Sequence, residues 1–207
     1  MTKFRALLLA LAAAPAAALI LPAPAVAQFS ESYKFLEAVR KKEGNDVTEM
    51  LEKGGPNLIN TRDYTSGETA LHIVTARRDL TWMRFLVAKG ANVNLRDAKG
   101  ATALVVAANH NFVEGVEFLI EQHAKVDESN DAGETPLITA VHNHNVEMIR
   151  ALLQAGADPD RADNSGRSAR DYALFDGKEG TLVSTIEKYA KPKKKDGEGP
   201  KVFGPSL

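Results

Sequence analysis

The hydrophobic pattern of this chain repeats. Apolar phrases follow glycine at a fixed interval: GETALHIVTA, GATALVVAAN, GETPLITAVH and GRSARDYALF open at Gly67, Gly100, Gly133 and Gly166, each 33 residues after the last. In the first three units a second apolar phrase continues in register, as WMRFLVAKGANVN, GVEFLIEQHAKVD and MIRALLQAGADPD. Leu71, Leu104 and Leu137, with Ala107, Ala140 and Ala173, give the first phrase a slim apolar face. Met83, Phe85 and Leu86, then Val116, Phe118, Leu119 and Ile120, then Met148, Ile149, Leu152 and Leu153 give the second phrase apolar positions at helical spacing. Each repeat therefore predicts two short helices packed by one apolar face each.

The punctuation agrees with that reading. Thr69, Thr102, Thr135 and Ser168 stand where a hydroxyl can cap free backbone N–H groups at a helix start. Pro136 follows at a first helical position, where its missing N–H costs nothing. Gly90 and Gly156 are placed to end second helices as left-handed caps.

A turn plus two antiparallel helices on a 33-residue period resembles the ankyrin-repeat family. The resemblance covers roughly 30–190. It implies an all-α solenoid of about five helix-turn-helix units joined by β-turn loops. Residues 30–66 read as an N-terminal cap repeat, with Phe35, Leu36 and Val39 in one helix and Val47, Met50 and Leu51 in the next, closed by Gly54 and Gly55. Regular repeats follow at 67–99, 100–132 and 133–165, and 166–190 forms a C-terminal cap repeat. In this last unit Arg170 and Asp171 replace apolar residues, giving the polar outer face that an end unit requires.

Departures from the family pattern are informative. Where the family places glycine between its two helices, this chain has Arg78, Asn111 and His144, and only Gly177 matches. Asn and His tolerate positive φ, so Asn111 and His144 are expected to do the glycine's work. His123 likewise replaces a helix-ending glycine. The family's first-helix histidine, which makes structural hydrogen bonds near the repeat junction, occurs once as His72; Val105 and Ile138 take its place later.

The segment before the repeats is of a different kind. Lys3 and Arg5 precede an apolar run at 6–21, Pro22 and Pro24 are expected to break its helix, and Ala25-Val26-Ala27 supplies small residues at a cleavage site. The pattern predicts an export signal over 1–27, cut between Ala27 and Gln28. The run is short of the roughly 20 residues needed to span a bilayer. No stable membrane insertion is expected after cleavage. Together with the lack of an Asn-x-Ser/Thr sequon, the signal predicts a periplasmic protein, with the extracellular space as the alternative.

Composition sharpens this. The chain holds 44% apolar residues but only 6% aromatic, as a thin Ala/Leu/Val core would require. With no cysteine it has neither a disulfide frame nor a thiolate nucleophile. The net charge of -1 conceals a division: residues 28–187 carry 18 basic and 25 acidic side chains, whereas 188–207 carry six lysines against Asp196 and Glu198. Neither the total nor the acidic middle suits a nucleic-acid binder. Residues 191–207 (KPKKKDGEGPKVFGPSL) have little to bury and are expected to be disordered.

The resemblance implies a function by binding. Partners of the family dock on its concave side, at the inter-repeat turns and at the ends of the first helices. Carried over by register, this gives Tyr64, Thr65, Ser66, Glu68 and Arg77, then Lys99, Asn109 and His110. Further along it gives Asp131, Glu134, His142 and Asn143, and finally Arg167 and Phe175. Tyr64, Arg77 and Phe175 are of types enriched at binding hot spots. The expected partner is a protein, taken up by a monomer.

Other functions find less support in the residues. No nucleophile elbow, zinc-protease helix, phosphate loop or dinucleotide fingerprint occurs, so no enzyme is predicted. Acidic pairs such as Asp158/Asp160 and Asp127/Glu128 fall in inter-repeat loops, where they suit turn hydrogen bonds. His110, His142 and His144 fall in adjacent inter-helix turns, and with Glu147 they pose the alternative of a surface metal site; without repeated metal spacing, no metal or cofactor is expected. The lysine tail poses a second alternative, attraction to anionic envelope surfaces. A secreted effector is a third.

Overall fold

Short helices dominate because the sequence caps and breaks them at short intervals. The computed structural model describes residues 23–176 and 180–190, in ten α-helices with no strand among the described residues. They are α1 (Ala23–Lys41), α2 (Gly44–Lys53), α3 (Ala70–Ala76), α4 (Leu80–Ala88), α5 (Ala103–Asn109), α6 (Val113–Glu121), α7 (Pro136–His142), α8 (Val146–Ala155), α9 (Ala169–Phe175) and α10 (Thr181–Tyr189). Each odd-numbered helix packs on the next in sequence, making five antiparallel pairs. The odd helices also pack on one another in chain order, as do α4, α6, α8 and α10. The result is a solenoid two helices deep.

Two expectations fall on α1. Pro24 does not stop a helix: it lies in the first turn of α1, where the absent N–H has no helical acceptor to lose. The Ala27–Gln28 bond, the expected cleavage point, lies within the same helix. The apolar run of the expected signal and the lysine-rich residues 191–207 lie outside the described residues, as does Gly177.

The core is the one the periodicity marks out. Leu71, Leu104 and Leu137 are buried, as are Ala107, Ala140 and Ala173 on the same helices. From the second layer Met83, Leu86, Val116, Phe118, Leu119, Met148, Ile149, Leu152 and Leu153 close over them. Burying one such leucine side chain contributes about 1.5–3 kcal/mol. Alanine on the first helices lets neighbouring units approach closely, which keeps the layers thin.

Turn chemistry fixes the pairing. Arg78, Asn111 and His144 take φ of 57°, 51° and 50° between paired helices, and Lys42 takes 62° at the equivalent place after α1. His123 takes φ of 61° beyond α6, where Gly90 and Gly156 take 93° and 100° beyond α4 and α8. So Asn, His, Arg and Lys all occupy the left-handed region that glycine favours. Thr102, Thr135 and Ser168 accept from the N–H groups of Val105, Ile138 and Asp171, as N-caps. At α3 the cap differs. Thr69 donates its backbone N–H to His72 Nδ1, and its hydroxyl lies 2.8 Å from the same nitrogen.

Candidate functional site

The turns between units are built alike. Asp97 Oδ1 accepts from the N–H groups of Lys99 and Ala101, both at 2.8 Å. Asn130 does the same for Ala132 and Glu134, and Asp163 for Ser165 and Arg167. Asp63 holds Thr65 and Ser66 in the first turn, which is one residue longer. That extra residue carries Tyr64 outward to 92% exposure. The N–H groups of Ser66 and Thr65 and the Arg40 guanidinium hold the Asp63 carboxyl at about 2. Burial alone would raise Asp163, but the hydroxyls of Ser165 and Tyr172 and the N–H groups of Arg167 and Ser165 hold it at about 2.

Adjacent turns are stitched together through their backbones. Ala98 N–H donates to the Ser66 carbonyl at 2.9 Å, Asp131 N–H to Lys99 at 3.0 Å, and Asn164 N–H to Ala132 at 3.0 Å. The glycine after each stitch permits the approach. A Cβ on Gly67 would stand 2.6 Å from Ala98 N, and one on Gly133 2.7 Å from Asn164 N; both residues also take positive φ. The turn tips therefore form one continuous rim.

Along that rim the candidate residues divide into three groups. Lys99 is exposed at a turn tip, and Asn109 and His110 are exposed at the end of α5. Tyr64 and Thr65 stand apart from them at the N-terminal end of the rim, with Ser66 and Glu68 partly covered and hydrogen-bonded to each other at 2.9 Å.

The second group makes contacts between units. Arg77 Nη1 donates to the Val39 carbonyl at 2.6 Å, Nε reaches Asp79 at 3.3 Å, and the guanidinium lies over Trp82. It is a strut between the first two units rather than an open side chain. Asn143 Nδ2 donates to the Ala108 carbonyl at 3.0 Å, across the next junction but one, and Asp131 faces Arg96 at 3.5 Å.

The third group gathers at the C-terminal end. His142 Nδ1 lies 3.1 Å from Glu134 Oε1, and its ring meets the Tyr172 ring edge-on at 4.4 Å. Arg167 lies over both Tyr172 and Phe175, and Tyr172 donates its hydroxyl to Asp163 at 2.7 Å. The structure thus assembles Glu134, His142, Arg167 and Phe175 from two units around Tyr172.

The histidines do not converge on a metal. His142 turns to Glu134, His144 to Asp176 at 3.2 Å, and His110 Nδ1 to the Val106 carbonyl at 2.9 Å. No group of three metal-ligating side chains is assembled among the described residues. Nor is any described helix long and apolar enough to cross a membrane.

Tyr172 and the turn-forming Asp97, Asn130 and Asp163 are contributors that the sequence reading passed over. The last three stand 33 residues apart, so the same period that exposed the glycines carries them. Leu174 was passed over too. It is in register with Ala108 and Val141, which are buried, yet it is exposed, with no following unit over it among the described residues.

A family model described as ankyrin repeats, in three copies, matches residues 35–130 and 116–196. That match spans most of the chain, and the 33-residue stack of capped helix pairs and stitched turns agrees with it over the described residues. The chain belongs to the ankyrin-repeat family, whose repeats are protein–protein interaction modules and generally carry no enzymatic activity.

Proposed function

We propose that this protein acts outside the cytoplasm, in the periplasm, as a non-enzymatic module that binds a protein partner on the face made by the turn rim and the ends of the first helices. One observation carries the reading. At 33-residue steps Asn109, His142 and Phe175 are exposed at the ends of α5, α7 and α9, beside a rim of turns locked by backbone hydrogen bonds. Preformed turns lose little entropy on binding, so contacts made there are not spent on ordering the loop. The side chains presented change from unit to unit, from Tyr64 through Lys99 and His110 to Arg167 and Phe175, which gives a long surface of individual character. Export rests on the basic, apolar and small-residue pattern of residues 1–27.

A pull-down from the native compartment tests the surface. Tyr64→Ala, His110→Ala and Phe175→Ala together are expected to abolish capture of a specific protein while leaving cooperative unfolding intact. A partner still captured by that variant, but lost on changing Glu114, Glu117 and Arg150 on the second-helix face, overturns the assignment. Intact-mass measurement tests export: a chain beginning at Gln28 is expected, and one still beginning at Met1 overturns it.

A further inference from the structure

Among the described residues the unit at 166–190 is the last of the stack, and it shows what a next unit would cover. The carbonyls of Ser66, Lys99 and Ala132 each accept an N–H from the following turn; Ser165 holds the same position in the last turn, and its carbonyl receives no N–H among the described residues. Ala108 and Val141 are 0% and 2% exposed, whereas Leu174, in the same register, is 60% exposed. Phe175 beside it is 76% exposed. The end of the solenoid thus offers a backbone acceptor beside an apolar ridge.

A cation completes the site. The Arg167 guanidinium lies 5.6 Å from the Phe175 ring centre and 5.9 Å from that of Tyr172. Arg40, Arg77, Arg96 and Arg170 each meet a carboxylate. Like Arg62, Arg78 and Arg84, Arg167 has no carboxylate within ion-pair distance among the described residues, but it is the one of these that lies over the exposed Phe175. A guanidinium set on aromatic faces is weakly hydrated and prearranged for a carboxylate's two oxygens.

We infer that this end of the rim takes an extended segment of a partner protein in which an apolar side chain stands beside a carboxylate. The apolar side chain covers Leu174 and Phe175, the carboxylate meets Arg167, and one backbone N–H donates to the Ser165 carbonyl. The segment thereby replaces three things that a next repeat would bring. The inference rests on the rim reading above and names the chemistry of the partner at one end of it. The chain's own residues 191–207, with five lysines against two acids, complement a cation poorly.

The test pans a phage-displayed library of random dodecapeptides on the full chain and measures synthetic copies of the enriched peptides by fluorescence polarisation. Enriched sequences are expected to place Phe, Leu or Ile within two residues of Asp or Glu. Arg167→Gln and Phe175→Ala are each expected to weaken them by about tenfold or more, the loss of one charge-assisted bond or one anchor. Both side chains are exposed, so the variants should unfold at the wild-type temperature. Peptides without acids, no enrichment, or affinities that neither variant changes overturn the inference. Binding lost on Tyr64→Ala and His110→Ala but kept in Arg167→Gln overturns it while sparing the rim reading; binding lost only from the second-helix face overturns both. Sedimentation showing a dimer that Phe175→Ala dissolves assigns the ridge to a second copy of this chain, and also overturns it.

Discussion

His72 Nε2 lies 3.0 Å from the carbonyl oxygen of Ala101, tying the first regular unit to the second through a side chain that is almost wholly buried. Its Nδ1 receives the Thr69 backbone N–H, so the proton stands on Nε2 and is donated to Ala101. The neutral tautomer satisfies both nitrogens at once.

That arrangement predicts a pH dependence. Burial pushes the His72 imidazole below its ordinary value. A lowered folded pKa means that the unfolded chain takes up the proton first, so the stability from neutral His72 is full above about pH 6.5 and is lost as pH falls below it. His72→Val, which copies Val105, removes one of the two donors to the Ala101 carbonyl and leaves the buried Thr69 N–H without its acceptor, and is expected to cost about 1–3 kcal/mol at pH 7.5. The variant should also lose less stability than the wild type between pH 7.5 and 5.5 in urea unfolding. Parallel losses would assign the pH dependence elsewhere.

Asp163 gives the opposite region of the pH scale. Its carboxyl is held at about 2, against an ordinary value near 3.9 in the unfolded chain. Its contribution is therefore full above about pH 4 and disappears as pH falls toward 2. Asp163→Asn keeps the Oδ1 acceptor, as Asn130 shows in the preceding turn, but loses the charge and the acceptor for the Tyr172 hydroxyl. Thermal unfolding is expected to fall less steeply between pH 4 and 2 in the variant. Asp163→Ala, which loses the turn bonds as well, should be the less stable of the two at neutral pH by about 1 kcal/mol.

The sequence displayed the four units from Gly67 onward because each carries the same glycine, hydroxyl cap and apolar face, and a period of 33 needs no partner element to be seen. Which surface residues remain open was harder to read, because it depends on contacts between units. Arg77 and Phe175 are both hot-spot types, and register alone treats them alike. In the fold Arg77 reaches back to Val39, whereas Phe175 is exposed, with no following unit beside it among the described residues. Likewise Leu174 shares the register of the buried Ala108 and Val141, and only the fold shows that no described residue covers it.

Left-handed residues provide a test of local strain. His123 takes φ of 61° at a place where the neighbouring units have Gly90 and Gly156, and its side chain is exposed. An L-residue pays about 1–2 kcal/mol in that region, partly offset by glycine's greater freedom when unfolded. His123→Gly is expected to raise stability by about 0.5–1 kcal/mol in urea unfolding. Gly133→Ala should do the reverse and more strongly, because its Cβ would lie 2.7 Å from Asn164 N as well as at φ of 78°. Equal and small effects from both changes would mean that the rim relaxes more freely than its hydrogen bonds imply.

Two buried threonines separate packing from hydrogen bonding. The Thr75 hydroxyl donates to the Leu71 carbonyl at 2.7 Å, one helical turn back. Thr139 is buried on α7, and its hydroxyl has no partner among the described residues. Valine has the same shape as threonine with a methyl in place of the hydroxyl, so each substitution changes polarity and little else. Removing an unpaired buried hydroxyl recovers its desolvation cost, and Thr139→Val is expected to stabilise by about 1 kcal/mol. Thr75→Val gives up a made bond and is expected to cost about 0.5–1 kcal/mol. The sign of the difference is the measurement, taken from urea midpoints at a constant slope. If Thr139→Val is the more damaging of the two, its hydroxyl is satisfied in solution, and α7 is held there by a bond of its own.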